Sequence, residues 1–118
     1  MKEQELFYKR LKTIKDYWVQ SSVESLNKGA DLIWSENEED YVHLQDVLIA
    51  EKDKTAYKRI LDETIKGAIH SILVMVDGGD ELTDNFSIDL VNADTNTSLK
   101  EGIALHEEFI SYLLDKEL

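Results

Sequence analysis

The stretch from Tyr57 to Gly79, YKRILDETIKGAIHSILVMVDGG, limits what this chain can fold into more than any other. Tyr57, Ile60, Leu61, Ile65, Ala68, Ile69, Ile72, Met75 and Val76 recur at steps of three and four. That spacing puts one apolar stripe along a helix of roughly 20 residues, about 30 Å long. Past Ala68 the opposite side also turns apolar, at Leu73 and Val74. The half from Gly67 to Val76 is therefore expected to be the most buried segment, with His70 its one polar group in need of a partner. Read alone, Ile69 to Val76 also fits a buried strand, but the upstream stripe enters it in phase and favours helix. Gly67 costs about 1 kcal/mol against Ala in a helix, which points to a close backbone crossing there. Asp77-Gly78-Gly79 supplies the stop, and Asp53 the cap, so the central helix covers about 53–77.

The remaining elements follow from the same kind of pattern. Phe7, Leu11, Ile14, Trp18, Val23 and Leu26, widened by Leu6 and Val19, mark an amphipathic first helix from Glu3 to Leu26. Lys9, Lys12, Lys15 and Asp16 form its outer face, and Gly29 its left-handed stop. Leu32, Ile33 and Trp34 make a connector expected to lay apolar side chains over the edge of the core. Ser35-Glu36-Asn37-Glu38 fits a capping box, so a second helix should start near Glu36, with Glu36, Glu38, Glu39 and Asp40 favoured by the positive end of its dipole. Tyr41, Leu44, Val47 and Leu48 carry that helix to about Ala50 or Glu51. Phe86, Ile88 and Leu90 alternate with polar residues as in a strand, and the Asn92 to Thr97 run is rich in turn formers, which together predict a hairpin. Leu105, Phe109, Ile110, Leu113 and Leu114 give a closing helix from about Ala104 to Lys116.

A chain of 118 residues is expected to form one globular domain over 1–118. The fold class is α+β and helix-dominated: three or four helices around the long central one, with a small antiparallel β-hairpin at about 86–100. The longest apolar run, Ile72 to Val76, falls far short of a membrane span. The N-terminal MKEQELFYKR lacks a signal-peptide core, so a cytoplasmic location is expected. No cysteine is present, which removes disulfides, thiolate chemistry and Cys-ligated zinc.

Charge is the most informative bulk property. The formal net charge is -12, and it is uneven: residues 1–30 carry six Lys/Arg against four Asp/Glu, while residues 31–118 carry seven against twenty-one. Such a chain opposes nucleic acid, whose recognition needs clustered cations. Acidity of this order serves solubility, and it also suits a basic partner.

Gly78-Gly79-Asp80-Glu81-Leu82 resembles the GGDEF signature of diguanylate cyclases, with Leu82 in place of Phe. In that family the motif sits on a hairpin, within a domain longer than this chain, and binds GTP and metal. Here the two glycines follow a helix, and the bland reading is a helix stop followed by solvated acids. His106-Glu107-Glu108-Phe109-Ile110 begins like the zinc protease motif HExxH, but position 110 is Ile, so the second ligand is missing. His43, His70 and His106 lie on different helices, and their spacing requires no metal. His70, between Ile69 and Ile72, reads as a hydrogen-bonded core histidine. The acids Asp77, Asp80, Glu81, Asp84 and Asp89 do not follow the EF-hand spacing. There is no nucleophile elbow and no phosphate loop, so no catalytic residue, cofactor or metal is assigned.

The segments GAIHSILVMVDGG, FSIDLVNAD and LHEEFISYLLD together resemble a class of small uncharacterised bacterial proteins built from a long helix, a hairpin and a closing helix, over about residues 55–115. What the resemblance implies is an intracellular bacterial protein, and it carries no catalytic residues. In size and charge the chain is also similar to immunity proteins that neutralise basic toxins. The functional expectation is a non-enzymatic acidic binding or regulatory module for a basic protein, bound through Glu36, Glu38, Glu39 and Asp40. The alternative is a small metal-dependent enzyme using a pocket of His70, His106 and Glu107. A homodimer whose acidity serves only solubility is the third reading.

Overall fold

The structure, a computed structural model, describes residues 3–117. The fold is α+β and helix-dominated: α1 (Glu3–Glu24), α2 (Glu38–Val47), α3 (Glu51–Val76), one 3-10 turn (Glu81–Asp84), β1 (Val91–Asn92), β2 (Thr97–Ser98) and α4 (Leu105–Lys116). Among the described residues, no helix is long and apolar enough to cross a membrane. The chain divides into two compact units, one holding residues 14–65 and the other the described residues before and after them. Helices α1 and α3 each contribute a segment to both.

The unit of residues 3–13 and 66–117 has its core in Tyr8, Leu73, Leu99, Leu105, Phe109 and Leu113. Phe7, Leu11, Ile69, Val76, Leu90, Ile103 and Tyr112 pack around them. Helix α4 supplies three of the six, at Leu105, Phe109 and Leu113, the i, i+4, i+8 row of one face. The Tyr8 ring meets those of Phe109 and Tyr112 at 6.0 and 5.9 Å, distances at which tilted aromatic pairs attract. Its hydroxyl donates to Glu108 Oε1 at 3.4 Å. Burial first, and the neighbouring Glu108 charge second, push that hydroxyl well above the ordinary tyrosine range.

Helix α3 ends as its DGG signal requires. Gly78 adopts φ +84°, its N–H donates to Met75 O and the Gly79 N–H donates to Val74 O, which is the Schellman pattern that satisfies the last free carbonyls. Asp80 Oδ1 then accepts from Leu82 N and starts the 3-10 turn. The two glycines of the GGDEL run thus close a helix and do not sit on a hairpin. Other expectations for α3 fail. Only Leu73 is fully buried, while Gly67, Ala68 and Ile72 are exposed, because the unit's core covers only the side bearing Ile69, Leu73 and Val76. A Cβ on Gly67 would meet nothing, so no backbone crosses there. The helix begins at Glu51, with Ala50 O accepting from Asp53 and Lys54 N, so Asp53 lies in the first turn and does not cap it.

The hairpin pairs Val91 with Ser98 and Asn92 with Thr97. Asn92 organises its loop: the side-chain oxygen accepts from Asp94 N and the backbone oxygen from Asn96 N, with Asn96 at φ +59°. The expected strand from Phe86 is absent among the described residues. Ile88 O instead accepts from Lys100 Nζ at 2.6 Å and Asp89 Oδ1 from Ser98 Oγ, side-chain bonds that compete with a ladder. Lys100 Nζ also donates to Val76 O at 2.7 Å, a cation placed at the negative end of α3.

The unit of residues 14–65 shows a different phase for α1 from the expected one. Lys15, Val19, Ser22 and Leu26 point inward, while Ile14 and Trp18 are exposed. Lys15 is 1% exposed rather than on the outer face, with Nζ 2.6 Å from Asp62 Oδ1 and 2.9 Å from Asp16 Oδ1. Burying that ammonium is tolerable because carboxylates, Asp16 and Asp62 among them, neutralise it. Gln45, the one fully buried residue of α2, donates from Nε2 to Ser25 O at 2.9 Å. The capping box does not form: Ser35 Oγ accepts from Asn37 N, two residues on, so α2 starts at Glu38. Its end comes at Val47, with Leu48 in a non-helical cap conformation.

Candidate functional site

Two arrangements in the structure carry chemistry, one in each unit. In the unit of residues 14–65, the connector after α1 is a tight turn in which Asp31 Oδ1 accepts from Ile33 N and Leu32 O accepts from Ser35 N. That turn buries Leu32 and turns the next two side chains outward, leaving Ile33 89% and Trp34 47% exposed. The expectation that all three would cover the core therefore holds for Leu32 alone. Trp34 sits edge-on between Trp18 of α1, at 6.0 Å, and Tyr41 of α2, at 5.6 Å. Tyr17 extends the row by meeting Trp18 edge-on at 5.6 Å. Both tryptophans of the protein are in this row. The segment that follows Trp34 holds Glu36, Glu38, Glu39 and Asp40, all exposed, the last three within the first turn of α2. The favourable end of the helix dipole stabilises them as anions.

The acids are legible in the sequence, whereas the aromatic row beside them is not. The available signal was local for Trp34 alone, which lies between the turn-forming Asp31 and the acidic run; Trp18 carries no such signal. A large exposed apolar patch rimmed by one sign of charge marks an interaction surface more reliably than acids alone.

In the unit of residues 3–13 and 66–117, the structure brings His70 and His106 together, their rings edge-on at 5.4 Å. His70 lies seven residues before Asp77, two turns along α3, so both face the same way. Asp77 follows the last residue of α3, and its carboxylate reaches the start of α4, whose own cap position is Ala104 and offers no side-chain oxygen. Asp77 Oδ2 accepts from His106 N at 2.8 Å and contacts His106 Nδ1 at 2.6 Å. The second contact requires a proton between the two atoms, so Nδ1 carries it; in the neutral ring Nε2 then keeps its lone pair, and in the protonated ring both nitrogens donate. The Asp77 side chain is only 7% exposed, and its other oxygen, Oδ1, is buried without a partner. Burial raises the Asp77 carboxyl, but the two hydrogen bonds from His106, the Leu105 N–H and the imidazole charge outweigh it and hold the group below its usual value.

Glu107, the third residue expected here, is 77% exposed with Oε1 4.0 Å from His106 Nε2. His70 makes no side-chain hydrogen bond among the described residues, so it is not the hydrogen-bonded core histidine that its apolar flanks suggested; its neighbour is the His106 ring. His43, on α2, is exposed and lies in the other unit. No family model matches the chain, and neither does any curated protein or solved structure.

Proposed function

We propose that the chain is an acidic binding module that docks a basic protein through the aromatic row of Trp18, Trp34 and Tyr41 and the adjoining acids Glu36, Glu38, Glu39 and Asp40. The observation that supports this is the juxtaposition itself: half-exposed tryptophans, with Ile33 almost fully open beside them, directly before four exposed carboxylates. Tryptophan and tyrosine are the residues that most often dominate binding energy, because they bury large area at little cost in side-chain freedom. The carboxylates then act as the rim. They draw in a partner of opposite charge and speed its encounter, and they repel acidic competitors.

The test compares affinity capture from a cell extract by three forms of the chain: wild type, the fourfold reversal E36K/E38K/E39K/D40K, and W34A. All the changed side chains are exposed, so each variant should keep its helical circular dichroism. The expected result is a basic protein retained by wild type and lost by both variants. A captured set that is unchanged by the two variants, or that is itself acidic, overturns the reading.

A further inference from the structure

The second arrangement, around Asp77, points beyond protein binding. We infer that His70 and His106 form a binding site for a divalent transition-metal ion of the Zn²⁺ class, oriented by the Asp77 carboxylate. Three observations carry this. The first is the ring geometry. An imidazole nitrogen binds zinc at about 2.0–2.1 Å and lies about 1.1 Å from its ring centre, so two rings on one tetrahedral ion have centres roughly 5 Å apart. The His70 and His106 centres are 5.4 Å apart at an interplanar angle of 79°, a separation that two rings sharing one ion also have.

The second observation is the tautomer. Asp77 holds a proton of His106 on Nδ1, so that in the neutral ring Nε2 is the unprotonated donor, the carboxylate–histidine–metal arrangement that raises ligand basicity and fixes the ring. The third is the orphaned oxygen. Asp77 Oδ1 is buried with no hydrogen-bond partner, so beside neutral rings this carboxylate keeps an anionic charge that its surroundings do not fully satisfy. A cation beside the imidazoles would supply the missing countercharge. The two nitrogen donors, together with the complete absence of cysteine, select borderline ions such as Zn²⁺ over soft ones, and hard ions such as Mg²⁺ would prefer an all-oxygen site. Glu107, exposed and already 4.0 Å from Nε2, can join by a change of side-chain rotamer, with water completing the shell. The site then has open positions.

The experiment is a titration of the whole chain, labelled with ¹⁵N in its histidines, with ZnCl₂. A ring nitrogen of His70 and Nε2 of His106 should shift together and saturate at one equivalent, while His43 does not move. Calorimetry should show that H70Q and H106Q each lose at least tenfold in affinity, that D77N loses about 10- to 100-fold, and that H43Q binds as wild type does. The inference is overturned if the His70 and His106 signals stay unchanged, if only one of them responds, or if His43 responds equally. The wild-type spectra decide this even where a variant fails to fold.

Discussion

Replacing Asp77 by Ala removes a carboxylate that ends one helix and starts another. The loss has two parts. The oxygen that caps α4 at the His106 N–H is worth about 1 kcal/mol, the usual value of an N-terminal cap. The bond between the carboxylate and His106 Nδ1 involves a charged group and contributes about 2 kcal/mol. Against these stands a gain of about 1 kcal/mol, since Asp77 Oδ1 is no longer buried without a partner. The net cost is about 2 kcal/mol. For 118 residues, an unfolding entropy of about 2.1 cal/mol/K per residue converts this to a fall in Tm of roughly 8 °C. D77N, which keeps an acceptor for the His106 N–H, should lose less.

The effect also has a pH signature. The Asp77 carboxyl is held below its ordinary value of 3.8 in the folded state, so its stabilisation is fully present above that value and is lost as pH falls through the folded value. Thermal melts by circular dichroism should therefore show a constant gap between wild type and D77A from neutral pH down to about 5, closing in the acid range below the unfolded carboxylate value. A D77A protein at least as stable as wild type at pH 7, or a gap that widens in acid, would refute this account of the carboxylate.

Other substitutions test other parts of the fold. G67A places a methyl group in open space on an exposed helix face and should stabilise by about 1 kcal/mol, a rise of roughly 4 °C in the same melts. K100M leaves Val76 O and Ile88 O without their ammonium donor and should cost about 2 kcal/mol; faster amide exchange at Gly78 and Gly79 should accompany the lower Tm. K15M keeps the buried stem but removes the ammonium that pairs with Asp62 and Asp16. Those carboxylates are partly open to water, so the cost should be about 2 kcal/mol in denaturant unfolding, below that of a fully buried pair.

How far the sequence reveals this protein depends on whether a feature is local. The long helix and its stop are written in the three- and four-residue spacing from Tyr57 and in Asp77-Gly78-Gly79, where neighbouring residues make all the bonds concerned. The Asn92 loop is equally local. The phase of α1 is not. A charged Lys15 on the buried side, against Ile14 and Trp18 on the exposed side, makes sense only with Asp62 in place 47 residues away. The second helix starts late because one hydroxyl, on Ser35, can serve Asn37 or Glu38 and the sequence does not say which. The meeting of His70 with His106, and of Asp77 with the head of α4, joins positions 29 to 36 residues apart with no spacing rule between them. Their identities as chemistry-bearing residues were legible, and their convergence was not. For the acidic segment the reverse holds: Glu36 to Asp40 is plain in the sequence, while the aromatic row beside it depends on a turn that buries Leu32 and turns Ile33 and Trp34 outward.

The central claim is that this aromatic and acidic face is where a basic protein docks, and the two tryptophans offer a direct reporter because both belong to the row. Titrating the purified partner from the capture experiment into the chain and following tryptophan emission should give a saturable blue shift as Trp18 and Trp34 leave water. Added salt should slow the association, and the fourfold charge reversal should slow it tenfold or more at low ionic strength. A complex that forms on gel filtration while the emission of both tryptophans stays unchanged would contradict the account.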